Sequence, residues 1–210
     1  MKLQSIFPPK SLRTRGDMMK NDVVSNCDLY LSELVDEINK APMKDIEKAC
    51  EVIFDAFKCG KTLYIAGNGG SAASANHFYA DLSNELLIHN INSNARVNSL
   101  CDSIVRLTAI ANDYGYENVF SQQLSHGQEG DILLLLSVSG ESKNLIKAAD
   151  LAQSRSMKIV SVTSMTSTLT HISHISIIFG DCDYGLSEDF QSIFLHMLKR
   201  MINNNIPHKC

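Results

Sequence analysis

The stretch LYIAGNGGSAASANHF, residues 63–78, decides the fold. It opens on four apolar or aromatic residues, the composition of a strand. Gly67, Gly69 and Gly70 then fall within four positions, and a run of small residues follows. Glycines directly after a strand mean that the backbone turns sharply or comes very close to something. A strand entering a helix through such a turn is the repeating unit of a parallel α/β sheet.

Working outward, two helical patterns precede this turn. Val24, Cys27, Leu31, Leu34, Val35 and Ile38 recur at helical spacing, as do Ile46, Cys50, Ile53, Phe54 and Phe57, with Gly60 where a helix end wants one. Five segments then read as strands: 62–67, 95–100, 131–137, 157–164 and 174–179. Helical stretches are expected at 71–87, 102–112, 116–125 and 142–154, and a last amphipathic helix from about 187 to 203. Near-continuous apolar strands alternating with helices predict a three-layer αβα sandwich, with a parallel sheet covered on both faces and an N-terminal helical pair. Residues 21–210 are expected to form one domain. The basic stretch at 1–20 lacks the apolar run of a signal peptide and is expected to be a mobile extension.

Composition narrows the class. Of 210 residues, 44% are hydrophobic and 20% charged, and the net charge is −4. No basic excess is available to neutralise phosphates, so a nucleic-acid partner is not expected. No apolar run approaches the ~20 residues of a membrane span. Six cysteines, at 27, 50, 59, 101, 182 and 210, show no CxxC spacing and read as reduced thiols of a cytoplasmic protein.

In such a sheet ligands bind beyond the C-terminal ends of the strands. Three segments sit at these ends. In GNGGSA (67–72) the glycines let backbone N–H groups approach a ligand, and Ser71 is expected to cap the helix and offer a hydroxyl; a tight turn without a ligand reads the same way. In SVSGES (137–142), three serines and a glycine at the mouth of a helix exceed what one cap needs and suit a phosphate. The GK[ST] of a Walker loop and the G-x-G-x-x-G of a dinucleotide site are both missing. In AIANDYGYENVF (109–120), Asn112 and Asp113 close a helix before Gly115, as turn residues or as partners of sugar hydroxyls. His77 and Asp81 share a helix face four residues apart, and Glu188 and His196 bracket the start of the last helix. Two imidazoles with one or two carboxylates suit Zn²⁺ or a similar ion. Residues eight apart on a helix lie ~12 Å apart along its axis. Glu188 and His196 therefore meet one ion only if Glu188 precedes the helix, or if they come from different chains.

GNGGSAASANHF, LTAIANDYGYENVFSQQL (107–124) and DILLLLSVSGESKNLIKAA (131–149) together resemble the sugar isomerase (SIS) domain family, over about residues 25–203. The resemblance implies a five-stranded parallel sheet flanked by helices, and homotetramers with active sites between subunits. It is strongest to the branch that converts sedoheptulose 7-phosphate to D-glycero-D-manno-heptose 7-phosphate for bacterial surface polysaccharides. It implies that Asn68, Gly69, Gly70, Asn112 and Asp113 bind the sugar and Ser137, Val138, Ser139 and Ser142 the phosphate, with Ser71 also expected to bind substrate. It further implies a zinc site at His77, Asp81, Glu188 and His196, with Asp81 and Glu188 also touching substrate and Asp81 and His196 as the acid–base pair. Both histidines match the family pattern. Asp81 is one methylene shorter than the family's Glu, and Glu188 is charged where the family has Gln.

The expected chemistry moves a proton from carbon 1 to carbon 2 through a cis-enediol. Asp81 is the expected base, its pKa raised by a dry pocket, with His196 moving protons among the oxygens. Two other readings remain at this level. One is a non-catalytic member of the same family that binds the replication initiator; the other is an isomerase of another phosphosugar.

Overall fold

The structure is a computed structural model of the chain and describes residues 23–89 and 91–205. The expected extension at 1–20 and Cys210 lie outside the described residues. The described residues divide into two compact units, with the boundary between Lys40 and Ala41. The first contains α1 (Val23–Asn39), where the expected apolar stripe is present but exposed at Leu31, Val35 and Ile38.

The second unit holds five strands, β1 (Thr62–Gly67), β2 (Arg96–Ser99), β3 (Ile132–Leu136), β4 (Lys158–Thr163) and β5 (Ile175–Ile178). They form one all-parallel sheet in the order β2-β1-β3-β4-β5. Every residue of the central β3, ILLLL, is buried, because helices cover both faces of a doubly wound sheet. At the edge, β2 alternates exposed and buried residues instead.

α2 (Met43–Lys58), α3 (Gly70–His89) and α7 (Tyr184–Asn205) pack together on one face. α5 (Lys143–Ser154) and α6 (Thr168–Ile172) pack against β3 and β4 on the other. Helical spacing brings Ala75, Phe78 and Leu82 of α3, and Phe190, Phe194, Leu198 and Ile202 of α7, into the core. Each such large apolar side chain contributes roughly 1.5–3 kcal/mol on burial. No helix among the described residues is long and apolar enough to cross a membrane.

Four local expectations change. The segment 116–125 is not one helix but two 3₁₀ turns, Tyr116–Asn118 and Gln123–His126, after α4 (Ile104–Tyr114). There the Gln123 side-chain amide donates to the carbonyls of Leu100 and Val119, fixing the chain by side-chain bonds rather than a helical ladder. α6 was not legible because it has five residues, rich in threonine, and its start rests on a Ser167–Thr170 capping box. α3 begins at Gly70, so Ser71 lies inside the first turn and does not cap it. α7 begins three residues early because Asp183 Oδ1 accepts the Leu186 N–H at 3.0 Å.

Candidate functional site

β1 and β3 are neighbours with Gly67 opposite Leu136, so the next residues, Asn68 and Ser137, leave the sheet side by side. From β1 the chain crosses to β2 on one side; from β3 it crosses to β4 on the other. The two quoted loops thus meet at the topological switch point, where open α/β sheets bind ligands. A pocket of about 130 Å³ lies there, lined by Asn68, Ser71, Ser137, Val138, Ser139 and Ser142, with Tyr184 and Glu188 from α7.

The serine loop is pre-shaped. Ser137 Oγ accepts the Gly140 N–H at 3.0 Å, and the Val138 carbonyl accepts from the Ser164 N–H and hydroxyl. Gly140 has φ +67°, and a Cβ there would overlap the Ser167 hydroxyl, so only glycine lets the loop close on α6. Both Glu141 carboxylate oxygens accept from Thr168, one from its N–H and one from its hydroxyl, each at 2.7 Å. These bonds hold the serine donors on α5's N-terminus, where an anion is favoured.

Asn68 is fixed by groups that the sequence did not single out. It exchanges amide hydrogen bonds with Asn144 at 3.1 and 2.9 Å, and the Tyr116 hydroxyl donates to its Oδ1 at 2.8 Å. Gly70 is required for a close approach: the Glu188 carboxylate occupies the space its side chain would fill. Gly69 forms the turn before α3, with open space where a Cβ would stand. Asn112 and Asp113 do not join this pocket; they are exposed on α4 and bonded to each other at 2.9 Å.

α3 and α7 run side by side in matched steps. Gly70 meets Glu188, Ser74 Oγ lies 3.3 Å from Ser192 Oγ, His77 Nε2 lies 3.3 Å from His196 Nε2, and Lys199 reaches Asp81. This ladder places Glu188 at the serine-loop end and His196 two turns along, inside the same helix. Glu188 thus lies within the helix proper, which closes the first of the two ways for it to share an ion with His196. His77, Asp81 and His196 do come together, with one ligand atom each inside 4.8 Å of the others. The 3.3 Å between the two Nε2 atoms fits the edge of a tetrahedron around an ion with bonds of ~2.0 Å. His77 and His196 are exposed and Asp81 half-buried, so the cluster is open to solvent.

The surroundings of Asp81 differ from the expected dry pocket. Lys199 Nζ donates to its Oδ2 at 2.9 Å, and this bond, against a smaller cost of burial, holds the carboxyl below the usual carboxylate range. The same bond raises the Lys199 ammonium above its ordinary value. Lys199 also lies 3.5 Å from Glu85 Oε1. Its role had no sequence signal, because three residues beyond His196 a lysine reads as solvated surface.

An all-parallel doubly wound sheet, with a serine-lined pocket at its switch point and a His–Asp–His cluster further along α3 and α7, defines the class of protein. A sequence profile of the SIS domain matches residues 29–164, and the chain belongs to the SIS domain family. It is 46% identical over 121 residues to the phosphoheptose isomerase of Shewanella denitrificans, an alignment covering 57% of this chain and 61% of that protein. The chain thus spans under two thirds of that relative's length. The structure of a phosphoheptose isomerase from Francisella tularensis superposes with a TM-score of 0.78 at 22% identity, covering 88% of this chain and all of that one. The corresponding structure from Neisseria gonorrhoeae gives 0.76 at 24% identity, over 86% and 98%. At these identities the structures establish the shared fold.

Proposed function

We propose that the chain is an aldose–ketose isomerase that converts sedoheptulose 7-phosphate to D-glycero-D-manno-heptose 7-phosphate. The reading is carried by the switch-point pocket, whose serine hydroxyls and helix N-terminus match a phosphate while Asn68 and Glu188 offer partners to sugar hydroxyls. The names of the relatives point the same way.

Ten residues of α3 separate Ser71 from Asp81, a rise of ~15 Å. The phosphate pocket and the His–Asp–His cluster of one chain are thus too far apart to be joined readily by one short sugar. We read the active site as assembled between subunits of a cytoplasmic homotetramer, each residue range 21–210 acting as one domain. The exposed apolar stripe of α1 suits burial between copies. Such assembly gives Glu188, Asn112 and Asp113 a way to reach the cluster of another chain.

In this reading Asp81 takes the proton from carbon 1 and returns it at carbon 2, and His196 relays protons between the oxygens. Phosphate held by Ser137, Ser139 and Ser142 supplies remote binding energy that fixes the reacting carbons. His77, Asp81 and His196 would hold one zinc ion, with Glu188 from a second chain. When bound, zinc supplies Lewis-acid stabilisation of enediolate charge.

The test is incubation with sedoheptulose 7-phosphate, with and without Zn²⁺, followed by NMR for the aldose. An aldose product supports the reading. No turnover in either condition, from folded tetramer, overturns it and favours a binding protein or a different phosphosugar.

A further inference from the structure

Lys199 places an ammonium on the carboxylate that the metal reading assigns to an ion. Its Nζ is 2.9 Å from Asp81 Oδ2, and that same oxygen is 3.9 Å from His77 Nε2. The lysine and His77 thus share one carboxylate oxygen. A second carboxylate waits beside the first: Glu85, one turn further along α3, has its Oε1 3.5 Å from the ammonium. The side chains of Lys199, Asp81 and Glu85 are 27%, 29% and 16% exposed, so their charges are only partly screened by water.

An ammonium and a divalent cation repel each other, and both are drawn to the same carboxylate oxygen. A lysine serving only to tie α7 to α3 needs one partner. Here it has two, and the farther one lies two helical turns away from His77.

We propose that Lys199 is an internal cation that occupies Asp81 until a divalent ion displaces it, with Glu85 receiving the displaced ammonium. This rests on the reading of His77, Asp81 and His196 as an ion site. Without an ion, the lysine neutralises Asp81 and keeps it aligned with the two imidazoles. When an ion claims Asp81, the ammonium shifts one turn along α3 to Glu85, which lowers its repulsion with the ion. Lys199 is a positioning residue: it sets how tightly the site holds its metal and touches no substrate.

The test is calorimetric titration of the full chain with Co²⁺, whose absorption spectrum reports imidazole ligation. Lys199→Met removes the competing charge and should tighten Co²⁺ binding by roughly two- to fivefold, the scale of a partly exposed ion pair. Lys199→Arg keeps the charge and should stay near the parent affinity. Glu85→Gln removes the second seat and should weaken binding severalfold when Lys199 is present, but not in the Lys199→Met background; that non-additivity is the signature of a shared lysine. Lys199→Gln serves if Lys199→Met does not fold. His77→Ala should abolish the Co²⁺ spectrum in every background. Unchanged or weaker binding in folded Lys199→Met, with a His77-dependent spectrum intact, overturns the proposal and leaves Lys199 as a tie between helices. No His77-dependent spectrum in the parent or in Lys199→Met overturns the ion-site reading, and this proposal with it.

Discussion

The Nε2 atoms of His77 and His196 lie 3.3 Å apart, with their rings inclined at 85°, although 119 residues separate them in the chain. The helices α3 and α7 create this proximity, and Asp81, one turn from His77, completes the group. Removing either imidazole leaves too few in-chain ligands to hold zinc against dialysis. His77→Ala and His196→Ala should each lose bound zinc while retaining the helical circular dichroism of the parent. Metal analysis after dialysis checks this, and full zinc retention by either variant would place the metal elsewhere.

Ser139 and Ser137 line the same pocket but carry different loads. Ser137 Oγ accepts the buried Gly140 N–H, so its loss also loosens the loop. Ser139 Oγ accepts only a long 3.3 Å bond from the exposed Glu141 N–H. Ser139→Ala is therefore the cleaner probe. If its hydroxyl binds phosphate, loss of ~1.5–3 kcal/mol predicts at least a tenfold rise in KM. Ser137→Ala should raise KM and also lower Tm. An unchanged KM in both would put the phosphate at another site.

Glu141 links loop rigidity to pH. Its carboxyl is held below the usual carboxylate range, first by the Thr168 N–H and then by the Thr168 hydroxyl. A depressed pKa means that the unfolded chain binds this proton more readily than the folded one. The stabilising contribution is thus complete above the unfolded value near 4.5 and is lost as pH falls through the lower folded value. Because Glu141 is largely exposed, the effect is modest. Glu141→Gln should be less stable than the parent at pH 7, and the gap should narrow by pH 3. Denaturant unfolding at several pH values measures it; a gap that widens on acidification contradicts the assignment.

Much of this arrangement was legible because it rests on local pattern. The apolar run ILLLL and the glycines after β1 specify buried parallel strands and the loops that leave them, and those loops meet at the switch point by topology alone. What escaped depends on contacts between distant segments. Tyr116 and Asn144 reach Asn68 across 48 and 76 residues, and Lys199 reaches Asp81 across 118. No periodicity records such pairs. Lys199 also reversed the expected environment of Asp81, because a reading of one helix cannot include the charge that its neighbour supplies. The early start of α7 turned on one aspartate cap, which sets Glu188 a full turn inside the helix, beside Gly70.

Asp81 remains the group on which the proposed chemistry turns, and its replacement discriminates most sharply. Asp81→Asn keeps the shape and a carbonyl oxygen to which Lys199 can still donate, so the contact between α3 and α7 survives. The amide cannot take up the carbon-1 proton. The variant should bind the phosphosugar yet fail to exchange that proton with deuterium from solvent. Metal content must be measured in the same preparation, because Asp81 is also a candidate ligand. If the metal-replete variant still exchanges, another group is the base, and Glu188, a carboxylate in the switch-point pocket, is the first to test. Asp81→Glu supplies the converse. The longer side chain restores the residue of the family pattern and extends the carboxylate by one methylene toward His77 or Lys199. Equal or higher activity would show a pocket that still accepts the family geometry. A collapse of activity with zinc retained would show that Asp81 and Lys199 belong to a site rebuilt around the shorter acid, and that a different sugar phosphate should be sought as substrate.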